Sequence, residues 1–194
     1  LREDLESQNK TLNCDFSDAR NIRLFKNSSV FYVNGTGANA LGMSTVYDDV
    51  MANTVWMKPS NSEVQQFSAI GYLLAYNLSN CVSTPIGIIE IDASGYPIGA
   101  FAPNELCDRW DIDIASPQGI HYYKLGAGAS GVTSLQTRFA WNFQLNPLKN
   151  FSCAGILWYQ GESDFRNTEY HFGKDRYVFE TEFVELMNYY RDNF

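Results

Sequence analysis

Two short apolar runs with an amphipathic segment between them constrain the fold of this chain most strongly. The first run is residues 22–25, and the second, residues 86–91, is rich in β-branched residues, which favours a strand. Between them, apolar residues recur at spacings of three and four, which predicts a helix over residues 67–78. Strand, helix and strand in this order predict a βαβ unit with parallel strands, because such crossovers are right-handed.

Three further segments extend this alternation of strands and helices. We expect a second helix near residues 136–143 and a buried strand over the apolar run 154–159. Residues 177–190 carry an apolar stripe at helical spacing, which predicts a helix that covers a sheet. The alternation predicts an α/β fold, a three-layer α/β/α sandwich with a mainly parallel sheet and functional residues at the carboxyl ends of its strands.

The chain is interpreted as a polar lead-in followed by one domain. The lead-in is residues 1–20, and the domain is residues 21–194. Residues 102–134 show no helix or strand pattern and include a glycine-rich stretch at 126–131. Loops of this length are usually functional or mobile, so we expect a lid or a wall of a substrate site here.

The run from Ala154 to Asp164 begins as an apolar stretch and stops abruptly in a polar turn, with the sequence AGILWYQGESD. At the end of a buried strand, the amide of Gln160 can donate a hydrogen bond to an oxygen that develops negative charge. Gly161 lets the chain turn sharply and lets a substrate approach closely. This layout is typical of an oxyanion site. The alternative is an ordinary polar turn after a strand.

A second glycine follows the strand 86–91 in the segment DASGYP. The backbone N–H of Gly95 can act as a second oxyanion donor, at a position where any side chain would block the approach. The alternative is a glycine that the turn alone requires. Both candidates lie at strand ends, where an α/β sheet places its functional residues.

The segment WYQGESD, from Trp158 to Asp164, resembles the third signature block of the sialate O-acetylesterases, within the SGNH hydrolase superfamily. Four more segments resemble that family in the same order, and they are NIRLF, FSAIGY, PIGII with SGYPI, and WNFQLNP. The resemblance covers most of residues 21–194 but leaves 104–137 unmatched. It implies an SGNH-like fold, an oxyanion donor at Gln160, and chemistry that needs no metal or organic cofactor.

Two blocks expected of that family are absent from the chain. The family carries its nucleophile in a Gly-Gln-Ser-Asn block and its base in an Asp-x-x-His block, whereas His121 and His171 are expected in surface loops. We therefore interpret the chain as the central part of a longer enzyme, inactive alone, whose serine and histidine come from outside it, from the same or a second polypeptide. Ser44, in Gly-Met-Ser, and Ser130, in Gly-Ala-Ser, are alternative nucleophiles, but neither completes Gly-x-Ser-x-Gly or has an identifiable base.

Other residues of the resembling segments are candidate site residues. Glu162 can orient a histidine as a triad acid does, or it can cap the following turn, which we favour. Tyr96 stands where the family has threonine, in Ser94-Gly-Tyr-Pro rather than Gly-Gly-Thr-Pro, and it alters the pocket. Aromatic faces and amides suit sugars, and core packing is the alternative role for the tryptophans. The candidates on this ground are Trp141, Asn142 and Trp158.

Composition excludes several classes of partner and indicates a compartment. A net charge of −8 argues against nucleic-acid and anionic-membrane surfaces, which require clustered Lys and Arg. The four cysteines lack the paired spacing of a zinc site and can form up to two disulfides. Together with five glycosylation sequons, they favour a glycoprotein in a secreted or lysosomal setting.

The resemblance therefore implies a carbohydrate O-acetylesterase that releases acetate through a serine acyl-enzyme, and it points to sialic acid as the sugar. In that reaction Gln160 and Gly95 would stabilise the tetrahedral oxyanion. The alternative is a non-catalytic sugar-binding or interaction module with the same fold, which Tyr96 and the absent blocks favour.

Overall fold

The computed structural model describes residues 21–26, 46, 48–49, 54–60, 64, 66–93, 95–117, 119, 121–124, 132–165 and 176–194. Within these residues the chain is a mixed α/β protein with two small sheets and several helices. It divides into two compact units, one formed by the described residues of 1–26 and 55–90, the other by those of 27–54 and 91–194. The proposed lead-in, residues 1–20, lies outside the described part.

The first unit contains the predicted βαβ arrangement. Strand β1 (Ile22–Lys26) pairs in parallel with β3 (Ile86–Glu90), so that Ile22 lies opposite Ile86. Helix α1 (Ala69–Ser79) lies between them in the chain, and the two-residue strand β2 (Trp56–Met57) pairs antiparallel with β1. The prediction of parallel strands joined through a helix is confirmed.

Polar contacts tie the start of α1 to the ends of the parallel strands. The hydroxyl of Ser68 accepts a hydrogen bond from Gly71 N at 3.2 Å, which is the usual N-cap contact of a helix. Ser68 N in turn donates to Glu90 at the end of β3, and Glu90 pairs with Lys26 at 2.8 Å at the end of β1. These contacts fix the helix over the sheet, above a small core of Ile22, Leu24, Phe67, Tyr72 and Ala75.

The second unit contains an antiparallel sheet and most of the helical structure. Its sheet has the order β4 (Asp113–Ala115), β5 (His121–Lys124) and β6 (Val132–Gln136). The helical elements are a 3-10 turn at Ile98–Phe101, α2 (Asn104–Trp110), a π-helix at Trp141–Leu145, a 3-10 turn at Asn146–Leu148, α3 (Glu162–Phe165) and α4 (Arg176–Asn193). The last helix was predicted over 177–190, and it is confirmed with Leu186 and Tyr190 buried.

The expectation that residues 102–134 lack regular structure is wrong, because α2, β4 and β5 lie inside this stretch. Helix α2 has Glu105 in its first turn and Arg109 in its last, charges that complement the helix dipole. It ends at Asp111, whose φ of 52° is a left-handed conformation that Asp tolerates. The strands of three and four residues are too short to show a period in the sequence. Residues 125–131 lie outside the described part, so the predicted lid stays a prediction.

The predicted helix near 136–143 begins later than expected. Residue 136 ends β6, and Arg138 has a φ of 63°, which no right-handed helix contains. The π-helix Trp141–Leu145 follows only after this break. The side chain of Arg138 is buried and ion-paired, and these contacts hold a backbone conformation that its residue type disfavours.

A charged cluster around the buried side chain of Arg138 joins α2 to the antiparallel sheet, with the side chain of Asp113 buried and that of Asp108 exposed. Arg138 Nη2 lies 2.6 Å from Asp108 Oδ1 and 3.0 Å from Asp113 Oδ2, while Nη1 donates to Asn104 Oδ1 at 3.0 Å. His121 Nδ1 lies 3.2 Å from the other oxygen of Asp113. The expectation that His121 lies in a surface loop is therefore wrong, because it begins β5 and faces a buried carboxylate.

The predicted buried strand at 154–159 is absent. Its apolar residues face solvent, with Ile156 48%, Leu157 56% and Tyr159 76% exposed. Strands exist through their ladder partners, and neither of the two sheets in the described part includes this segment. Only Trp158 turns inward, where its ring packs against the core of the second unit.

Candidate functional site

Two turns of the second unit carry the predicted oxyanion residues and lie in direct contact. One is residues 95–98, after the end of β3, and the other is residues 160–164, after the run 154–159, which is in neither helix nor strand. Gln160 Nε2 donates to the backbone oxygen of Tyr96 at 3.1 Å. The backbone N–H of Ile98 donates to both carboxylate oxygens of Asp164 at 3.1 Å. We call these two segments the paired turns, and they bring Gln160 and the Gly95 turn together.

Gly95 is the residue on which the first turn depends. Tyr96 N donates to Ala93 O at 3.3 Å and closes the turn, with Gly95 in third position at a φ of 78°. This is the position at which a type II turn requires positive φ, so the role of a turn glycine is supported. A Cβ added at Gly95 would meet nothing within 4 Å among the described residues, so the side of this turn is open. Residue 94 lies outside the described part.

Gly161 produces the sharp change of direction predicted for the second turn. Its φ is 146°, a value that residues with a side chain rarely adopt. Asp164 N donates to Gly161 O at 3.1 Å, and helix α3 begins at Glu162. The turn therefore directs residues 160–164 back toward the Gly95 turn.

The amide of Gln160 is fixed by two acceptors. Nε2 donates to Asp164 Oδ2 at 2.5 Å as well as to Tyr96 O at 3.1 Å, so both amide hydrogens have partners. Its Oε1 is buried and accepts no hydrogen bond from the described residues. A reversed amide would set Oε1 against two acceptor oxygens, so these contacts determine which way the amide points. A substrate oxygen can receive a hydrogen bond from Gln160 only by sharing one of these two N–H groups.

Asp164 is the residue of the site that the sequence reasoning missed. Glu162 was the carboxylate singled out, yet it is exposed at the first position of α3. Asp164 instead faces both turns, through Gln160 and Ile98. The available signal was the four-residue spacing of Gln160 and Asp164, which becomes informative only when a turn brings the two side chains together.

Gln144 is a second missed residue, and it holds the chain that leads into the Gly95 turn. Asp92 N donates to Gln144 Oε1 at 3.1 Å, and Gln144 Nε2 donates to Asp92 O at 2.9 Å. This two-way contact imitates the pairing of a neighbouring strand. Gln144 is 1% exposed, so the contact forms inside the core.

The other predicted site residues lie in or against the core. Trp141 and Asn142 are each 3% exposed, and Trp158 is half-buried with its ring edge-on to Phe101. These positions are those of core residues, the role weighed for both tryptophans. The Tyr96 ring stacks on Phe139 at 5.0 Å, and burial raises the pKa of its phenol above the ordinary value. Tyr96 therefore remains neutral and packs against the hydrophobic core.

Three of the residues considered as nucleophile or base, Ser44, Ser130 and His171, lie outside the described part of the chain. The fourth, His121, pairs through Nδ1 with Asp113 at 3.2 Å, beside Arg138. No group of three or more His, Cys, Asp or Glu side chains suited to a metal ion occurs in the residues the structure describes. Within the same residues, none of the helices has the length and apolar character needed to cross a membrane.

Two comparisons with known proteins bear on the family of this chain. No family model matches the chain. Over 128 residues the chain is 29% identical to the sialate O-acetylesterases of Homo sapiens and Pongo abelii, an alignment that covers 63% of this chain and 23% of each relative. The chain is distantly related to sialate O-acetylesterases. It spans about a quarter of the length of these curated relatives, so their activity reaches this chain only as a proposal.

Proposed function

We propose that the chain is the oxyanion-stabilising part of a carbohydrate O-acetylesterase that acts on O-acetylated sialic acid and has a three-layer SGNH-like fold. The observation that carries this proposal is the contact of Gln160 with the Gly95 turn across the paired turns. The distant relation to sialate O-acetylesterases supports the reaction class and the sugar.

In the proposed reaction a serine from outside the chain attacks the acetyl carbonyl, while a histidine accepts the serine proton. The carbonyl oxygen becomes an oxyanion that needs hydrogen-bond donors in a fixed position. The Gly95 N–H is one donor, and the Gln160 N–H that points to the Tyr96 carbonyl is the other. An oxyanion accepts more strongly than a neutral carbonyl, so this N–H shifts from Tyr96 to the substrate as charge develops. Collapse of the oxyanion then breaks the ester C–O bond, and the sugar hydroxyl leaves with the proton that the histidine had accepted, which gives the acyl-enzyme. Water attacks the acyl-enzyme, the histidine accepts a proton from that water and returns it to the serine, and acetate is released.

A non-catalytic sugar-binding module is the second candidate, and one observation favours it. Both amide hydrogens of Gln160 already have acceptors within the paired turns. This is the arrangement expected where the amide stabilises a turn and does not bind a substrate oxygen. Such a module would bind acetylated sugars without releasing acetate.

The test uses the longest polypeptide in which this chain occurs, with O-acetylated sialic acid and a small aryl acetate as substrates. We expect acetate release from both substrates and complete loss of activity after treatment with a serine-directed inhibitor. Saturable sugar binding without acetate release would instead establish the binding module.

The isolated 194-residue chain serves as a control in the same assay, and we expect it to release no acetate. Inhibitor-sensitive turnover by this chain alone would place the nucleophile within it. That result would contradict the proposal that the catalytic serine and histidine come from outside the chain.

A further inference from the structure

Asp164 bonds groups in both of the paired turns, Ile98 N in one and Gln160 Nε2 in the other, and neither the sequence motif nor the proposed reaction gives it a role. We propose that Asp164 is a positioning residue that fixes the direction of the Gln160 amide and holds the Gly95 turn against it. This inference rests on the proposed function, because it concerns how the oxyanion donors are kept in place.

The first support is the pair of donors that Asp164 receives. One carboxylate oxygen accepts from Gln160 Nε2 at 2.5 Å, and both lie 3.1 Å from Ile98 N. The two donors belong to segments 62 positions apart in the sequence, residues 98 and 160. One side chain therefore joins the two turns that the oxyanion site requires.

The second support is the difference in strength between the two hydrogen bonds of Gln160. The bond to Asp164 has an ionised acceptor, and such bonds are roughly twice as strong as neutral ones. The bond to the Tyr96 carbonyl is neutral and longer, at 3.1 Å. Asp164 is therefore the anchor of the amide, and the N–H that faces the Gly95 turn is the one that can be shared.

The third support is that the position calls for a carboxylate in particular. The two groups seen to bond Asp164, Gln160 Nε2 and Ile98 N, are both donors, and a carboxylate offers acceptors only. An asparagine has the same shape but would place an N–H2 group against one of these donors. Asp164→Asn should therefore release Gln160 from its anchor while it changes the volume of the site little.

A structural test follows the Gln160 side-chain amide in the full 194-residue chain, with selective ¹⁵N labelling of glutamine and NMR detection. We expect the Gln160 Nε2 resonances to shift and broaden in Asp164→Asn, because the amide loses its ionised acceptor. The matched control is Asp192→Asn, an exposed residue of α4, which should leave them unchanged. Unchanged Gln160 resonances in Asp164→Asn would overturn the positioning role.

A kinetic test uses the longest polypeptide in which the chain occurs and a double-mutant cycle on acetate release. Asp164→Asn should lower kcat by about tenfold or more with little change in KM, since small misplacements of a catalytic group cost up to about a hundredfold. In the Gln160→Ala background the same change should lower kcat by a smaller factor, because only the contact of Asp164 with Ile98 N in the Gly95 turn is then left to lose. Equal losses of kcat in the wild-type and Gln160→Ala backgrounds would contradict the positioning role. A higher kcat in Asp164→Asn would contradict it as well, because it would mean that the carboxylate charge opposes the oxyanion.

The two tests separate the inference from the proposed function. If the wild-type polypeptide releases no acetate but the Gln160 resonances respond to Asp164→Asn, the esterase proposal fails and the positioning contact stands. If acetate is released and neither the resonances nor kcat respond, the esterase proposal stands and the role of Asp164 is wrong.

Discussion

The residues of the candidate site differ in how well the sequence predicts them. Gln160 and Gly95 were predicted because each lies in a turn that follows an apolar run, and this pattern is local in the sequence. Asp164 and Gln144 were not assigned, because each bonds a backbone group far away in the sequence, Ile98 at 66 residues and Asp92 at 52. Nothing local to either side chain indicates such a partner.

Arg138 provides a prediction at this scale. Its side chain is 6% exposed and pairs with Asp113, whose side chain is 8% exposed. In Arg138→Met the Asp113 carboxylate would remain buried without its cation, and breaking a buried pair in this way costs about 3–5 kcal/mol. We expect that loss in the free energy of unfolding measured by chemical denaturation.

The matched control for Arg138 is Arg109→Met. Arg109 is 61% exposed and pairs with Glu185 at 3.3 Å, and exposed pairs contribute at most about 1 kcal/mol. Similar losses for the two variants would show that the Arg138 cluster does not stabilise the fold as described.

Long secondary-structure elements were predicted better than short ones, and an apolar run formed a strand only where another strand pairs with it. The βαβ unit and the long helix α4 follow from periodicity and were found. The short strands β4 and β5 were missed because three or four residues carry no clear period. The run 154–159 was expected to be a strand because it is apolar, but the described residues provide no strand that pairs with it.

Gly99 provides a prediction about packing between elements. It lies in the turn Ile98–Phe101, and a Cβ there would lie 2.8 Å from the Tyr123 hydroxyl and closer still to Ile112 Cδ1. Tyr123 lies on β5 and donates to Pro97 O at 3.1 Å, within the first of the paired turns. Gly99→Ala should therefore lower the free energy of unfolding by about 1–3 kcal/mol, as overpacking usually does.

Gly155→Ala is the control for that substitution, since an added Cβ meets nothing within 4 Å there. It should change stability by no more than about 0.5 kcal/mol in the same denaturation experiment. A neutral Gly99→Ala would mean that the turn Ile98–Phe101 packs more loosely against β5 than these distances indicate.

For the molecule as a whole, the sequence predicted the α/β class, and the structure shows a mixed α/β protein in two compact units. The described core of the second unit contains 15 buried residues, against five in that of the first. The paired turns and Gln144 all belong to the second unit, so the larger core supports the candidate site. The division into units could not be predicted, because it depends on long-range packing that no single pattern records.

The central claim is that Gln160 stabilises the oxyanion of an acetyl ester, and the kcat of Gln160→Ala tests it most directly. Measured as acetate release from O-acetylated sialic acid by the longest polypeptide in which the chain occurs, kcat should fall about a hundredfold or more, as it does when one oxyanion donor is removed. The control Gln66→Ala changes an exposed glutamine of the first unit and should leave kcat unchanged. A Gln160→Ala variant that keeps the full wild-type kcat would contradict the account.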